Sequence, residues 1–413
     1  MKDMVKTQTL KGFRDFLPAE ARKRQYVIST LKSVFESYGF EPLETPVLEY
    51  EEVLMGKYGD EGDQLMYRFE DNGKRRVAMR YDQTVPTARV VAQYANVLPL
   101  PFKRYQIQPV WRAENTQKGR YREFVQCDID TVGTDSPLAD AEIVTCAVAF
   151  YKALGIKNFK VLINDRKVFE KISLQAVIVI DKLKKIGEDG VTRELVEKKL
   201  AGDLTEANSL LQELLNTKPT ERLNEIIAVL EELGVDKNFI EFSPTLARGL
   251  NYYTGMIFEI ETPDYPVGSI CSGGRYDELI GMFADRQIPA VGLAVGFDRT
   301  IEAMDALNLF PADLANSSTQ VLVTVFSENL KGKSLELTKE LRENNINAEV
   351  YLGEIKEKNP LEKQLKYADA KKISYALILG PNEIEKNIFT LRNMQTRDQQ
   401  EGSLEEILKT LAK

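Results

Sequence analysis

The run from Val110 to Gln126, VWRAENTQKGRYREFVQ, sets four cations, Arg112, Lys118, Arg120 and Arg122, among aromatic side chains. Guanidinium forks recognise phosphate oxygens through paired hydrogen bonds, and Phe124 offers a flat face on which a purine can lie. The chemistry that such a set fits is the binding of ATP. A solvated hairpin that uses its charge only for solubility has the same local composition, so other segments must decide between the two. Histidine is absent from all 413 residues. That removes the usual general base near neutral pH and the commonest nitrogen ligand of transition metals, which excludes serine-histidine hydrolases and histidine-ligated metalloenzymes.

These cations need a scaffold. FKRYQIQPVWR alternates polar and apolar residues as a strand does, NTQKG supplies turn residues, and YREFVQCDIDTV reads as a second strand, which together predict an antiparallel hairpin charged at its loop and on one face. An amphipathic helix is expected over Ala19–Tyr38, followed by a strand in GFEPLETPVLEYEEVL that Pro46 interrupts or ends at an edge, and then a further helix. Strands should dominate from Val77 to Val132. An apolar helix from Leu138 to Leu154 should stop near Gly155 and lead into the strand FKVLIND. Residues between Asp165 and Leu233 are helical in pattern and rich in Lys, Glu and Leu, and strand character returns at Met256–Glu261, so the helical piece reads as an insertion. Beyond FPADLANSST, alternating strands and helices from Gln320 predict a small α/β domain. The expected organisation is residues 1–165 and 236–312 as two parts of one core, 166–235 as the insertion and 318–413 as the terminal domain.

A composition of 43% hydrophobic and 29% charged residues is ordinary for a soluble globular chain. No apolar run is long enough to span a bilayer, and the start, MKDMVKTQTLKGFRDFLP, lacks the apolar core of a signal peptide, so a cytoplasmic location without membrane attachment is expected. Cys127, Cys146 and Cys271 are odd in number and far apart, which suggests neither a disulfide framework nor a thiolate zinc site. The net charge of -8 argues against nonspecific coating of nucleic acid but leaves room for local basic patches.

Three further segments join the hairpin in carrying a resemblance. The hairpin, ARGLNYYTG at Ala247–Gly255, SGGRYDELIGMF at Ser272–Phe283 and GLAVGFDR at Gly292–Arg299 together resemble the histidyl-tRNA synthetases, class II aminoacyl-tRNA synthetases. KGFRDFLP, GFEPLETPVLE, MRYDQTVPTAR at Met79–Arg89 and the terminal domain fall in the family's order, so the likeness runs nearly end to end. It implies an α+β architecture: an antiparallel-sheet catalytic domain with a helical insertion and a C-terminal anticodon-binding α/β domain. The implied substrates are ATP with Mg2+, L-histidine and tRNA(His), and the implied assembly is a homodimer through the Pro46 region.

Residue by residue, the resemblance makes Arg112 the cation on the α-phosphate and reacting carboxylate, with Arg248 opposite it as the second catalytic cation. Glu114, Arg120 and Phe124 would hold ATP, and Arg299 would lie beside the γ-phosphate or purine. Asp82, Thr84 and Gln126 would bind the α-ammonium group; Asp130 and Tyr253 would face the imidazole, and Tyr252 would complete the wall. Ordinary core packing is the alternative for the tyrosines, and an ion pair with a neighbouring arginine is the alternative for Asp130. Gly273 and Gly274 fit either a tight turn or a close backbone approach beneath a small ligand. GLAVG lacks the lysine of a phosphate loop. Lys363, Lys366, Lys371 and Lys372 offer contacts to RNA phosphates, or else form a solvated helix face.

Such a reaction does not require histidine in the enzyme, because the attacking carboxylate is already ionised and the transition state needs alignment and cations. Asn251 departs from the family's usual aspartate, and Val125 stands where an aromatic or histidine is common. The rival reading is the synthetase-like regulatory subunit of ATP phosphoribosyltransferase, which binds histidine as a signal. It commonly lacks the terminal domain and part of the RGL-YY motif, both present here.

Overall fold

The structure is a computed structural model that describes residues 6–55, 64–116, 121–248, 252–266, 268–386 and 388–412. It divides into two compact units, Met1–Asp15 with Arg24–Leu309, and Phe16–Lys23 with Phe310–Lys413.

The first unit is built on an eight-stranded sheet. Its strands are β1 (Glu41–Pro42), β5 (Phe102–Trp111), β6 (Glu123–Val132), β7 (Lys160–Asp165), β8 (Ile240–Phe242), β9 (Met256–Glu261), β10 (Cys271–Arg275) and β11 (Ala290–Val295), in the order β1-β5-β6-β11-β10-β9-β7-β8. The outer pairs β1-β5 and β7-β8 are parallel and the inner ones antiparallel. Side chains alternate between faces with period two, so Cys127 and Ile129 of β6 enter the core beside the apolar helix Pro137–Ala153, while Gln126, Asp128 and Asp130 turn to the opposite face. Ser136 caps that helix by accepting from Leu138 N, and Pro137 opens it, where a missing N–H costs nothing.

Arg275 of β10 fixes this helix to the sheet. Its Nε and Nη2 donate to Asp140 at 2.9 and 3.0 Å, and Arg222 of the helix Glu221–Glu232 reaches the same carboxylate at 3.1 Å. The inserted helices Leu174–Ile180, Leu183–Glu197 and Leu204–Leu215 bury their own apolar cluster, with Val177, Ile180, Leu195, Leu211 and Leu214 at its centre.

One local feature differs from the expectation, and two open alternatives are decided. The stretch expected to be mainly strand contains a helix, Thr84–Gln93, because Pro86 falls in its first turn and Val85, Ala88 and Val91 make one buried face that outweighs the β-branched composition. Pro46 interrupts the strand, leaving β1 and β2 (Leu48–Tyr50) on either side of it in different sheets; β2 pairs with β4 (Arg76–Met79), which also pairs with β3 (Arg68–Glu70). Of the two readings of Gly273 and Gly274 the turn drops out, since both lie inside β10.

In the second unit, β13 (Ala348–Val350), β12 (Val321–Val323) and β14 (Tyr375–Ile378) are parallel, and β15 (Phe389–Asn393) and β16 (Gln399–Gly402) add an antiparallel hairpin that the sequence reading did not contain. Val321, Leu337, Leu377 and Ile407 form one core and Leu322, Ala368, Ile373 and Ala376 another, as a sheet covered on both faces requires.

Candidate active site

The polar face of the large sheet is assembled in cross-strand rows. Arg104, Asp130, Gly292 and Gly274 form one row; Gln106, Asp128, Ala294, Ser272 and Glu259 form the next; Gln108 faces Gln126 in a third. The small residues in the middle strands leave a depression between the carboxylates of β6 and Glu259 of β9. They have no room to grow: a Cβ on Gly292 would stand 2.0 Å from Asp130 Oδ1, and one on Gly274 would stand 2.7 Å from Met256 O and 3.0 Å from Tyr253 Cδ1. The glycines therefore serve close approach.

The acidic end of this depression holds Asp82, Asp128 and Asp130, all buried. Arg104, with no exposed surface, pairs with Asp130 Oδ2, and Tyr276 donates its hydroxyl to Asp130 Oδ1. The arginine partner that had been the alternative for Asp130 is thus present. Burial pushes the Asp128 carboxyl well above the usual range, opposed by Arg104 and reinforced by the charges of Asp130 and Asp82. Gln126 Nε2 donates to Asp128 Oδ2 at 2.9 Å, which leaves Gln126 Oε1 and Asp128 Oδ1 buried without a hydrogen-bond partner among the described residues. Buried acceptors in that condition are costly unless a donor arrives. Gln83 Nε2 clamps the start of the helix Thr84–Gln93 to the hairpin through Gln108 O at 2.9 Å and Gln126 O at 3.1 Å, which sets Asp82 and Thr84 beside the same depression.

Aromatic rings close one side. Tyr252 and Tyr253 have centroids 4.1 Å apart, and Tyr252 meets Tyr276 edge-on at 6.3 Å. Burial raises both tyrosine hydroxyls far above their usual range.

Cations occupy the other end. Arg112 follows β5, donates Nε to Tyr81 O at 3.0 Å and lies 5.1 Å from the centre of the Phe124 ring. Arg122 Nε donates to Glu114 O at 3.1 Å, and Arg122 O accepts from Arg112 N at 2.9 Å, so the hairpin continues past the ends of β5 and β6. Arg299, on the helix Phe297–Ala306, donates to Ser269 O at 2.9 Å. Arg248 pairs with Glu259; desolvation lowers its pKa, which the charge of Asp181 opposes and that of Arg299 reinforces. Arg120 and Lys118, and Asn251 of the RGL-YY motif, fall outside the described residues.

Asp128, Arg104, Gln106, Glu259 and Tyr276 were absent from the sequence-derived set. Alternation points to the first three: Asp128 lies two residues from both Gln126 and Asp130, and Arg104, Gln106 and Gln108 repeat with the same period in β5. Glu259 and Tyr276 carry no such local signal.

An antiparallel sheet with a cationic hairpin at one end, buried acceptors at the other and a glycine floor between them defines an amino-acid and nucleotide site of the class II synthetase kind. A family model described as histidyl-tRNA synthetase matches residues 12–300, and one described as anticodon binding domain matches residues 320–413. Histidine–tRNA ligases of Cytophaga hutchinsonii and Rhodopirellula baltica are each 40% identical to this chain, over 99% of it and 100% of the relative in the first case and 96% of both in the second. The crystal structure of histidyl-tRNA synthetase from Nostoc sp. PCC 7120 superposes with a TM-score of 0.84 at 31% identity and covers 99% of both chains. The chain belongs to the histidyl-tRNA synthetase family.

Proposed function

We infer that this protein is a histidine–tRNA ligase, which activates L-histidine with ATP to histidyl-adenylate and transfers it to the 3' end of tRNA(His). The observation that carries this reading is the polarity of the depression. An amino acid is a zwitterion: its ammonium group satisfies the acceptors Gln126 Oε1 and Asp128 Oδ1, with Asp82 and Thr84 beside them, while its carboxylate points toward Arg112 and Arg248. Asp130 and Tyr253 meet the imidazole, and Tyr252 walls the pocket. A site built to hydrogen-bond both ring nitrogens rejects apolar side chains because its own polar groups are left unpaired. ATP lies along the hairpin, with its purine on Phe124, and with Glu114, Arg120 and Arg299 around its phosphates and base. Among the described residues no group of three acidic or thiol side chains could hold a metal ion, so Mg2+ would be held chiefly by phosphate oxygens and water and would supply positive charge to the triphosphate.

In the first step a histidine carboxylate oxygen forms a bond to the α-phosphorus, and the bond to the β-phosphate bridging oxygen breaks to release pyrophosphate. Arg112 and Arg248 hold the charge that develops on the α-phosphoryl oxygens. In the second step the terminal tRNA hydroxyl attacks the carbonyl and AMP departs, with a phosphate oxygen of the adenylate accepting the proton.

Residues 1–165 and 236–312 carry this chemistry, 166–235 form the insertion, and 318–413 bind the anticodon. In that last domain Lys363 pairs with Glu354 at 2.9 Å and Lys366 with Glu362 at 2.8 Å, and Lys371 pairs with Glu349. Exposed pairs of this kind are weak, so RNA phosphates can displace them. The buried thiols fit a reducing cytoplasm. No helix among the described residues is long and apolar enough to cross a membrane. Exposed Val47, Leu48, Tyr50 and Phe69 around the three-stranded sheet support a homodimer. Sedimentation at the mass of a single chain, at micromolar concentration, would remove the dimer.

Pyrophosphate exchange with each of the twenty amino acids tests the whole reading. Exchange and tRNA charging are expected with histidine alone. Histidine binding without exchange would instead favour a regulatory role like that of the ATP phosphoribosyltransferase subunit.

A further inference from the structure

The segment KGFRD, upstream of the sheet, is used by none of the chemistry above, yet it touches both ATP-binding elements. Gly12 O accepts from Arg122 N at 2.9 Å, so the segment is hydrogen-bonded to the chain just before β6. Gly12 has φ +90°, and a Cβ there would stand 2.7 Å from Thr116 Cγ2 and 2.8 Å from Arg122 Cγ. Both the backbone conformation and the space admit only glycine.

Two residues on, the Arg14 guanidinium lies 3.3 Å from the centre of the Tyr121 ring. Its Nη2 also donates to Asp298 Oδ2 at 2.9 Å. Asp298 directly precedes Arg299 on the helix Phe297–Ala306, and its other oxygen accepts from Arg24 Nη1 at 2.6 Å. Arg24 in turn stacks 4.6 Å from Phe297. One guanidinium therefore joins the arm of the hairpin beside Arg122 to the helix that bears Arg299, two elements far apart in the sequence.

We propose that Lys11–Arg14 is a strap of the ATP site and that Arg14 is a positioning residue, which sets the separation between the hairpin cations and Arg299. The proposal rests on the hairpin being the ATP site. Without Arg14 the hairpin arm loses its stack and its link to Asp298, so the triphosphate must order the arm on binding, at a cost in affinity. The histidine pocket is held separately, by Gln83 and the Arg104–Asp130 pair, and should not notice.

The test is steady-state pyrophosphate exchange by full-length Arg14→Ala and Arg14→Lys, with Phe124→Ala as a control on the ATP site and thermal melting of each. The expected result for Arg14→Ala is a KM for ATP raised about tenfold or more, the order of one lost charge-assisted contact with its stack, at a KM for histidine within about twofold of wild type. Arg14→Lys keeps the charge facing Asp298 but not the planar stack, and should recover part of the loss. Equal rises in both KM values would overturn the proposal in favour of a general structural role. An unchanged KM for ATP in Arg14→Ala, with the control raised, would overturn the strap alone. If the control is unchanged as well, the hairpin is not the ATP site and the strap falls with it.

Discussion

Arg248→Ala should lower the rate of histidine-dependent pyrophosphate exchange by about 100- to 1000-fold, the usual loss when one preorganised donor to a developing oxyanion is removed. The chemistry makes the effect large. Adenylate formation uses no general base, so its acceleration comes from alignment and from cations at the α-phosphoryl group. Arg248 is the residue proposed to supply such a cation. Its side chain is 45% exposed and is held by Glu259 on β9, so its outer face can meet a phosphate. The main signature is a fall in kcat with the KM for ATP and histidine little changed, as for an interaction made in the transition state. Arg248→Lys should be intermediate, since an ammonium keeps the charge but not the paired donors. Removal of the guanidinium also strands Glu259, which is buried, so melting temperatures must accompany the rates. Exchange at the wild-type rate in a folded Arg248→Ala would end the assignment.

Asp130→Ala should destabilise the first unit by about 3–5 kcal/mol, the usual cost of breaking a buried ion pair and leaving its partner charged. Arg104 has no exposed surface, and its Nη2 pairs with Asp130 Oδ2. Asp130 itself is 3% exposed and also accepts from Tyr276. Loss of the carboxylate therefore leaves a buried guanidinium and a buried hydroxyl without their acceptor. The double variant Arg104→Met, Asp130→Ala removes both charges and should regain much of the stability, because a buried pair often contributes little beyond what its apolar replacement does. Histidine affinity should stay weak in both variants, since neither retains the carboxylate proposed to face the imidazole. Denaturant unfolding followed by a probe in the first unit separates these effects. A single variant that unfolds at the wild-type midpoint would show that Arg104 finds another partner.

These two residues mark the boundary between what was legible in the sequence and what was not. The hairpin could be read directly, because strand periodicity and turn residues are local properties. β5 and β6 occupy the predicted stretches, and Arg112, Phe124 and Gln126 stand where the alternation puts them. The resemblance carried the remaining candidates through motifs that keep their order along the chain. The helix Thr84–Gln93 was missed because its composition favours strand and only its buried face makes it helical. β15 and β16 were missed because short strands at a sheet edge leave little periodic signal.

The sequence by itself determined the chemical inventory: cations and an aromatic face for ATP, acidic and amide side chains for an ammonium group, and no histidine. Tertiary structure alone decided which of these groups meet. Gly274, Gly292, Asp130 and Arg104 come from four separate segments, and only the register of β10, β11, β6 and β5 lines them up. That register depends on hydrogen bonds between strands far apart in the chain, which no local period encodes. The partner of a buried charge is settled the same way: alternation puts Arg104 and Asp130 each on the polar face of its own strand, and only the register of β5 against β6 sets them opposite each other.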